Sequence, residues 1–428
     1  MPESFGSKEG RADIKLRASR ETSHGPHSGY VTVIAGMAFR ATFQAALTIL
    51  LARLLGPVDY GAYVVISGIV GFFSVLAGVG ASALHLRDTS IAPSAWHSSF
   101  VIHHASIWKT QPVLIALTLL TAWLVVRGEV GWLPLLLFVL GDLLGAPASD
   151  LLVRSYQGRE RYMRMALTMC ALPLSRVLLL TLFTTTGGSV SLWSWGSLCL
   201  LSGGAMAAIV FGVAVSAKRN ADTADWKSSR DPFLGLGFSM TAASTRIHAD
   251  ADKAIIAKLS SFGAAGEYSL AYRMMDVLLL PINGLIEWSM RALFRHGQDG
   301  MVTSLRELWR RWLILLGLAL GACAVAYALA PFLPVIFGDQ FQEAVQMGRW
   351  LALLPLTTAC WMLLRSVMTT AGHQKFVGVV ELMGAGLSVV LGIVLVSNHG
   401  WRGAVLATYG IHMAMSLTVA GFAILRHR

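Results

Sequence analysis

Seven basic residues lie within or at the edges of long apolar stretches, where charge is least expected. An arginine at the centre of a bilayer costs about 2.5–3.5 kcal/mol even on insertion scales, so such residues face a partner or a watery cavity. Arg365 is close to the end of its stretch, where its side chain can extend to the headgroups. The seven are Arg40, Arg176, Arg246, Lys253, Arg273, Arg349 and Arg365.

Two of these arginines have no acidic neighbour on their own helix. Arg40 is flanked at three and four positions by Gly36, Met37, Phe43 and Gln44, and Arg176 has only apolar residues at that spacing. A guanidinium stays charged and presents a planar, two-pronged set of donors, which suits an anion with several oxygens such as a phosphate or diphosphate. The alternative is that each arginine pairs with an acid from a neighbouring helix and serves packing alone.

The other two candidate arginines have an aspartate within reach. Asp250 follows Arg246 by four residues, and Asp276 follows Arg273 by three, and both spacings allow an ion pair on one helix face. Together with the two arginines that lack such a neighbour they form the predicted substrate site. Its members are Arg40, Arg176, Arg246 and Arg273.

The segment RIHADADK, residues 246–253, carries all the charged residues of its apolar stretch. Arg246, Asp250 and Lys253 fall on one helical stripe, while His248 and Asp252 form a second pair four residues apart. A charged stripe in a membrane helix predicts a water-filled face and could relay a proton or cation. The candidates for ion coupling are Asp142, Asp250 and Asp252, and for each a structural salt bridge is the alternative.

Apolar segments of about 20 residues must position these side chains, since each is long enough to cross roughly 30 Å of hydrocarbon. Twelve are predicted, at 30–52, 61–84, 104–126, 132–153, 163–185, 191–216, 233–257, 267–290, 311–336, 347–371, 376–396 and 402–425. The stretch 96–110 contains three histidines and a lysine, so we expect it to lie at the membrane interface before the third helix.

Composition supports a membrane protein and excludes other classes. Hydrophobic residues make up 55% of the 428 residues and charged residues 13%, against roughly 25% charged in soluble proteins. The chain has no GxGxxG, Walker A, HExxH or GxSxG motif and no metal-ligand spacing, so we expect neither an enzyme nor a cofactor nor a metal. The net charge of +11 lies mainly in short loops, which indicates topology signals rather than nucleic-acid binding.

The basic residues also predict the orientation. If the N-terminus is cytoplasmic, the segments on that side carry 23 of the 34 Lys and Arg residues, and the six outer loops carry four. The positive-inside rule then places both termini in the cytoplasm. Residues 1–29 are polar and lack an apolar run, which predicts a cytoplasmic tail.

An internal repeat divides the chain. ARLLGPVDYGAY (52–63) resembles AKLSSFGAAGEY (257–268) when shifted by 205 positions, so that Gly61 meets Gly266. The same shift brings Arg40 to Thr245, one position from Arg246. Six helices fill each half, which predicts two bundles related by an axis along the membrane normal with a cavity between them. The predicted domains are a tail (1–29), a bundle (30–217), a linker (218–231) and a second bundle (232–428).

Three motifs resemble the bacterial polysaccharide transporter family, which includes the Wzx-type O-antigen flippases. They are ARLLGPVDYGAY (52–63), GAAGEYSLAYRMMD (263–276), and FGDQFQEAV (337–345) followed by TAGHQKF (370–376). One departure is that the second half lacks the proline of the first motif. The resemblance implies the fold of the wider exporter superfamily, which also contains the multidrug and toxic-compound extrusion transporters: two six-helix bundles forming a V around a central cavity.

The resemblance also implies the activity. Family members are thought to move undecaprenyl-diphosphate-linked oligosaccharides across the bacterial inner membrane by alternating access, with membrane lipids, a polysaccharide polymerase and glycosyltransferases as partners. The alternative is a cation-coupled exporter of small molecules of the multidrug and toxic-compound extrusion type. Arginines without partners disfavour cationic cargo, because like charges repel strongly in a low dielectric. A scaffold for glycosyltransferases is the remaining class, and polar residues in central helices make it a costly one.

Overall fold

The computed structural model describes residues 26–126, 128–220, 232–297 and 309–426. Its N-terminal half comprises α1 (Pro26–Ser74), α2 (Ala81–Ile91), α3 (Trp96–Val126), α4 (Trp132–Gly158), α5 (Tyr162–Thr185) and α6 (Leu192–Arg219). Its C-terminal half comprises α7 (Pro232–Leu259), α8 (Phe262–Leu278), α9 (Leu280–Gly297), α10 (Trp309–Leu329), α11 (Leu333–Phe337), α12 (Glu343–Trp350), α13 (Leu354–Met368), α14 (Gln374–His399) and α15 (Trp401–Arg426).

The all-α, polytopic fold predicted from the sequence is confirmed. Within the described ranges, eight helices are long and apolar enough to cross a membrane, or nine if the bent pair α8 and α9 forms one span. Two of the eight, Val31–Val79 and Glu343–His399, have 49 and 57 residues, more than twice the roughly 20 that one crossing needs. Helix α7 is long enough but is not among the eight, because its central segment 246–253 is charged. Counted with these features, the helices accommodate twelve crossings.

Helix α1 makes two crossings because it is broken at Gly56. This residue has a φ of 76°, which only glycine adopts without strain, and Pro57 then starts the second segment. The predicted loop 53–60 is therefore a kink within helix. We call the end of the molecule at Gly56 the kink face, and the opposite end, where α1 begins and α15 ends, the terminal face.

Two predicted boundaries are wrong. The second crossing ends at Ser74 rather than at residue 84, because the chain turns there into a short 3-10 segment and the separate helix α2. The third helix begins at Trp96 rather than at residue 104, and His103 and His104 near its start bond Asp88 of α2 and Trp108. That residues 96–110 lie at the membrane interface stays a prediction. The predicted tail (1–29) and linker (218–231) fall mostly on residues 1–25 and 221–231, outside the described residues, so the domain limits stay predictions.

The two halves cross at the kink face through a pair of glycines that the repeat relates. A methyl group on Gly61 would lie 1.8 Å from the carbonyl oxygen of Phe262, and one on Gly266 would lie 2.5 Å from that of Pro57. Residues 57 and 262 are themselves related by the shift of 205. The contact is therefore reciprocal, as is required at a pseudo-twofold axis.

Two further repeat-related residues tie the halves together at this face. The guanidinium of Arg53 donates to the carbonyl oxygens of Ile336 and Val335, at 2.9 and 2.8 Å. Its counterpart Lys258 donates from Nζ to the carbonyl oxygen of Leu124 at 2.9 Å. Each cation thus caps the end of a helix in the opposite half, where unpaired carbonyls carry partial negative charge.

At the terminal face the halves meet through strained backbone. Gly78, Val79 and Gly80 have φ values of 63°, 52° and 77°, and a β-branched residue such as valine rarely takes this left-handed conformation. A methyl group on Gly80 would lie 2.4 Å from the carbonyl oxygen of Gly235 in α7. The amide of Gly78 is satisfied by Oγ1 of Thr110 at 2.8 Å. The two halves thus also touch at this end, through main chain.

Candidate functional site

A cavity of about 670 Å³ lies between the two halves. Helices α1, α4 and α5 form one wall, and α7, α8, α10 and α11 form the other. All four arginines of the predicted substrate site line it, although they come from four different helices. They are Arg40 on α1, Arg176 on α5, Arg246 on α7 and Arg273 on α8.

Arg40 is exposed in this cavity and has no ion pair or hydrogen bond to any described residue. Its helical neighbours Gln44 and Thr48 also line the cavity, one and two turns further along α1. The spacing of four residues puts all three on one face of the helix. Arg40 therefore heads a polar stripe that faces the space between the halves.

Arg176 is paired with an acid of a neighbouring helix, which is the arrangement that the packing alternative of the sequence analysis describes. Its guanidinium forms an ion pair with Asp142 of α4, and Nε lies 3.3 Å from Oγ of Ser202 in α6. Only 11% of the Arg176 side chain and 15% of the Asp142 side chain are exposed. A buried, hydrogen-bonded ion pair ties α4, α5 and α6 together and is costly to break from one side. Asp142 is thus the counter-ion of Arg176 in this conformation.

The arginines of the C-terminal half pair as predicted. Nη1 of Arg246 lies 3.8 Å from Oδ2 of Asp250, and Nη1 of Arg273 lies 3.6 Å from Oδ2 of Asp276. The Arg246 and Arg273 side chains are 49% and 59% exposed, and both line the cavity. These distances exceed those of a good hydrogen bond, so both arginines can turn toward a ligand.

Asp250 and Asp252, predicted for ion coupling, are not among the residues lining the large cavity. Both instead approach the ammonium of Lys253, at 3.4 and 3.5 Å. The predicted pair of His248 with Asp252 is wrong, because Nε2 of His248 lies 3.2 Å from the carbonyl oxygen of Glu381 on α14. Long-range packing satisfies this histidine, and local spacing alone does not reveal it.

A second, much smaller cavity of about 20 Å³ lies beside Asp252 in the C-terminal half. Its walls include His248, Thr408 and His412, from α7 and α15. That volume accommodates about one water molecule, and polar groups surround it. The charged stripe of α7 thus has a polar pocket behind it as well as the large cavity in front.

Arg365 is paired as well. Its Nε lies 2.9 Å from Oε1 of Glu381, so the prediction that it extends to the headgroups is wrong. The glutamate belongs to α14, and residues 16 positions apart on different helices leave no local signal in the sequence.

Several side chains that line the cavity were missed by the sequence reasoning. Tyr63, Ser67 and Ser74 line it from the second segment of α1, and Asp150 lines it from α4. The signal that could have found the first three is their spacing of four and seven residues, which places polar groups on one face of an otherwise apolar helix. Asp150 is engaged by Arg154, at 3.5 Å.

A family model described as polysaccharide biosynthesis protein matches residues 30–294, more than half of the chain. The chain belongs to the polysaccharide biosynthesis protein family. The match spans α1 to α9 and so includes every arginine of the cavity. No curated protein matches the sequence.

Solved structures show that this member of the polysaccharide biosynthesis protein family has a transporter fold. An inward-facing multidrug resistance MATE family transporter of the MOP superfamily aligns with a TM-score of 0.74 and 14% identity, over 92% of this chain and 98% of that one. An outward-facing conformation of such a transporter aligns with 0.60 and 15%, over 92% and 93%. A MOP superfamily transporter from Pyrococcus furiosus, described as having a binding pocket of reversed polarity, aligns with 0.63 and 14%, over 92% and 94%.

Family and fold are those of membrane transporters rather than enzymes. The chain is a multi-pass membrane protein with the two-lobed architecture of the exporter superfamily, and its two lobes enclose an arginine-lined cavity.

Proposed function

We propose that this protein moves an undecaprenyl-diphosphate-linked oligosaccharide from the cytoplasmic to the periplasmic leaflet of a bacterial inner membrane by alternating access. The observation that carries the proposal is the charge of the cavity. Four arginines line it against three aspartates, Asp142, Asp150 and Asp276. The surplus positive charge belongs to Arg40, which has no ionic partner among the described residues.

The geometry suits a diphosphate that must leave water. Arg40 offers its full set of donors, while Arg246 and Arg273 have long ion pairs whose carboxylates phosphate oxygens can replace. The polar stripes of α1 offer hydroxyl and amide groups to sugars. The polyprenyl chain needs no cavity, because it is as apolar as the lipid around it.

The contacts between the halves support one state of an alternating-access cycle, in which one end of the cavity is closed. The glycine crossing and the capping by Arg53 and Lys258 seal the kink face, which the positive-inside rule assigns to the periplasm. We therefore infer that the structure is closed toward the periplasm, while the halves also touch at the terminal face through Gly80 and Gly235. The higher TM-score against an inward-facing transporter, 0.74 compared with 0.60, supports this inference. A polysaccharide polymerase and glycosyltransferases would supply and consume the cargo.

The proposal is tested by deleting the chromosomal copy in the source bacterium and complementing it with variants. R40A and R246A should each abolish surface polysaccharide, and R40K and R246K should retain part of it, because lysine keeps the charge but loses the fork. R402A is the matched control, since Arg402 stacks on Trp350 and Trp401 away from the cavity. Membrane levels of every variant are compared by immunoblot.

Normal amounts of surface polysaccharide from the R40A R246A double variant would contradict the proposal that these arginines bind the diphosphate. Expression of R40A should be preserved, because the substitution removes an intramembrane charge that has no ionic partner among the described residues. R246A is the less secure variant, since it leaves Asp250 with Lys253 as its remaining close cation.

Ion coupling through Asp142, Asp250 or Asp252 is a second part of the proposal. Each acid lies within 4 Å of a cation, so protonation or cation binding at the acid would have to displace that partner. D142N or D250N should weaken the dependence of flipping in proteoliposomes on an ion gradient. Unchanged dependence in both variants contradicts this part and leaves the anion site untouched.

Export of cationic drugs is the alternative that the fold neighbours suggest. The surplus guanidinium disfavours it, because a cation entering the cavity would be repelled by Arg40. Cells expressing the wild-type chain should show no added resistance to cationic dyes, and dye efflux that R40A leaves intact would favour the alternative.

A further inference from the structure

The ammonium of Lys253 is buried inside the C-terminal half. Only 5% of the residue is exposed, and it lies six residues before the end of α7. Its Nζ donates to the carbonyl oxygen of Ala249 and lies 3.4 Å from Oδ1 of Asp250 and 3.5 Å from Oδ1 of Asp252. It also lies 4.6 Å from the centroid of the Tyr272 ring.

These surroundings are those of a bound monovalent cation. Two carboxylate oxygens and a main-chain carbonyl supply negative charge and lone pairs, and the face of an aromatic ring adds a cation–π contact. Lysine contributes a compact point charge on a flexible stem, so its ammonium can take the place of a free ion. Burying such a charge is tolerable only when it is paired in this way.

The local charge balance depends on this ammonium. Three cations, Arg246, Lys253 and Arg273, accompany Asp250, Asp252 and Asp276 on α7 and α8. With Lys253 the group is neutral, and without it one buried negative charge is left over. Oδ2 of Asp252 is already buried without a hydrogen-bond partner, and a cavity for about one water lies beside it.

We propose that Lys253 is a built-in cation, which fills the position between Asp250 and Asp252 that a free Na⁺ or K⁺ ion would otherwise occupy. The wild-type chain therefore binds no alkali-metal cation there, and removing the lysine side chain turns the position into a site for one. This narrows the coupling part of the proposed function, since a metal-ion gradient cannot act through these two acids. It does not depend on what the central cavity carries.

The test is thermal unfolding of the purified, detergent-solubilised full-length chain in NaCl, KCl or choline chloride at equal ionic strength. Wild type should melt at the same temperature in all three salts. K253A should melt lower in choline, and Na⁺ or K⁺ should raise its melting temperature in a saturable way by about 2–4 °C. ²²Na⁺ binding that depends on Asp250 and Asp252, measured on the same samples, should be present in K253A and absent in wild type.

Three controls isolate the site. K258A removes an ammonium from the same helix that bonds the carbonyl oxygen of Leu124, and it should show no preference between salts. K253M fills the space with an apolar chain and should gain no cation response. Adding D250N and D252N to K253A should abolish the response, since those acids supply the ligands.

A sodium-specific rise in wild type that D250N or D252N removes would overturn the proposal, because a free ion would then bind beside the lysine. Folded K253A with equal melting temperatures in all salts contradicts it as well. So does K253A that is recovered folded in none of the three salts, since the free cation then fails to replace the ammonium. None of these readouts involves flipping, so the anion-site proposal can fail or hold independently.

Discussion

Gly61 and Gly266 pack against each other at the crossing of the two halves, and they occupy equivalent positions of the internal repeat. A methyl group on Gly61 would lie 3.0 Å from the amide nitrogen of Gly266, and one on Gly266 would lie 3.2 Å from Cα of Gly61. Main chain meets main chain, so neither partner can move a side chain out of the way. The seal of the kink face therefore depends on the absence of two side chains.

The first prediction is that Gly61→Ala prevents this seal. The added methyl would lie 1.8 Å from a backbone oxygen, so the halves must separate at the kink face. We expect transport to fall at least about tenfold, since one arm of the cycle is lost. Gly263→Ala is the control, because a methyl there would have its nearest neighbour at 3.9 Å.

The same variant has a structural readout. Ala52 is fully buried at this face, so a cysteine placed there, in a chain without its native cysteines, should resist a membrane-impermeant thiol reagent. Gly61→Ala should make it reactive. If labelling and transport both match the control, the crossing is not a seal.

The second prediction separates packing from binding at Arg176. Asp142→Ala leaves a buried guanidinium without its counter-ion and should cost about 3–5 kcal/mol of stability. The double variant Asp142→Leu, Arg176→Met replaces the pair by apolar side chains and should regain most of that loss. Melting temperature in detergent measures both effects.

Flipping by the double variant then decides the role of the pair. Transport close to wild type means that Arg176 serves packing alone, whereas loss of transport in a stable protein assigns it to the cargo. We expect loss of transport, because both Asp142 and Arg176 line the cavity.

The third prediction concerns pH and a buried network that joins α2 to the start of α3. In α2, Nδ1 of His85 lies 2.9 Å from Oγ of Ser99, and Asp88 accepts from Ser99 and from Nε2 of His103. An ionised Asp88 only accepts, so Ser99 donates to it and His85 donates to Ser99. Burial, reinforced by His103 and Arg159, lowers the pKa of His85 to about 3.

The sign of the effect follows from the unfolded chain, in which a histidine has a pKa of about 6.5. Between that value and about 3 the unfolded state binds a proton that the folded state does not, so stability falls as pH falls, by at most about 1.4 kcal/mol per unit. Above pH 6.5 this contribution is fully present. His85→Gln should flatten the slope of melting temperature between pH 7.5 and 5, and replacement of the exposed His399 should not.

The fourth prediction is the topology. The 23-to-four distribution of Lys and Arg predicts that both termini are cytoplasmic. A reporter that is active only in the cytoplasm should work when fused after Arg428. Activity of a periplasm-specific reporter at that position would refute the assignment, and the kink face would then lie on the cytoplasmic side.

The fold could be read from the sequence because its determinants are local. Length and apolarity define a crossing, and the match of Gly61 with Gly266 disclosed the repeat. The pairs that share one helix, Arg246 with Asp250 and Arg273 with Asp276, were predicted for the same reason. Helical spacing fixes such neighbours before any tertiary structure forms.

The missed pairs join different helices. Asp142 is 34 residues from Arg176, and only the packing of α4 against α5 brings them together. The spacing of His248 and Asp252 allows a pair on one helix face, but His248 instead bonds the carbonyl oxygen of Glu381 on α14. Local periodicity predicts which residues share a helix face. It does not predict which polar groups of a neighbouring helix will contact that face.

Arg40 and Arg246 are one position out of step with the repeat, since Arg40 corresponds to Thr245. One residue along an α-helix is a rotation of about 100°, so the two guanidinium groups leave their helices in directions that the pseudo-twofold axis does not exchange. A symmetric cavity would hold a diphosphate equally well in either direction. This one would distinguish its two phosphates, one esterified to lipid and the other to sugar, and so would admit its cargo in a single orientation.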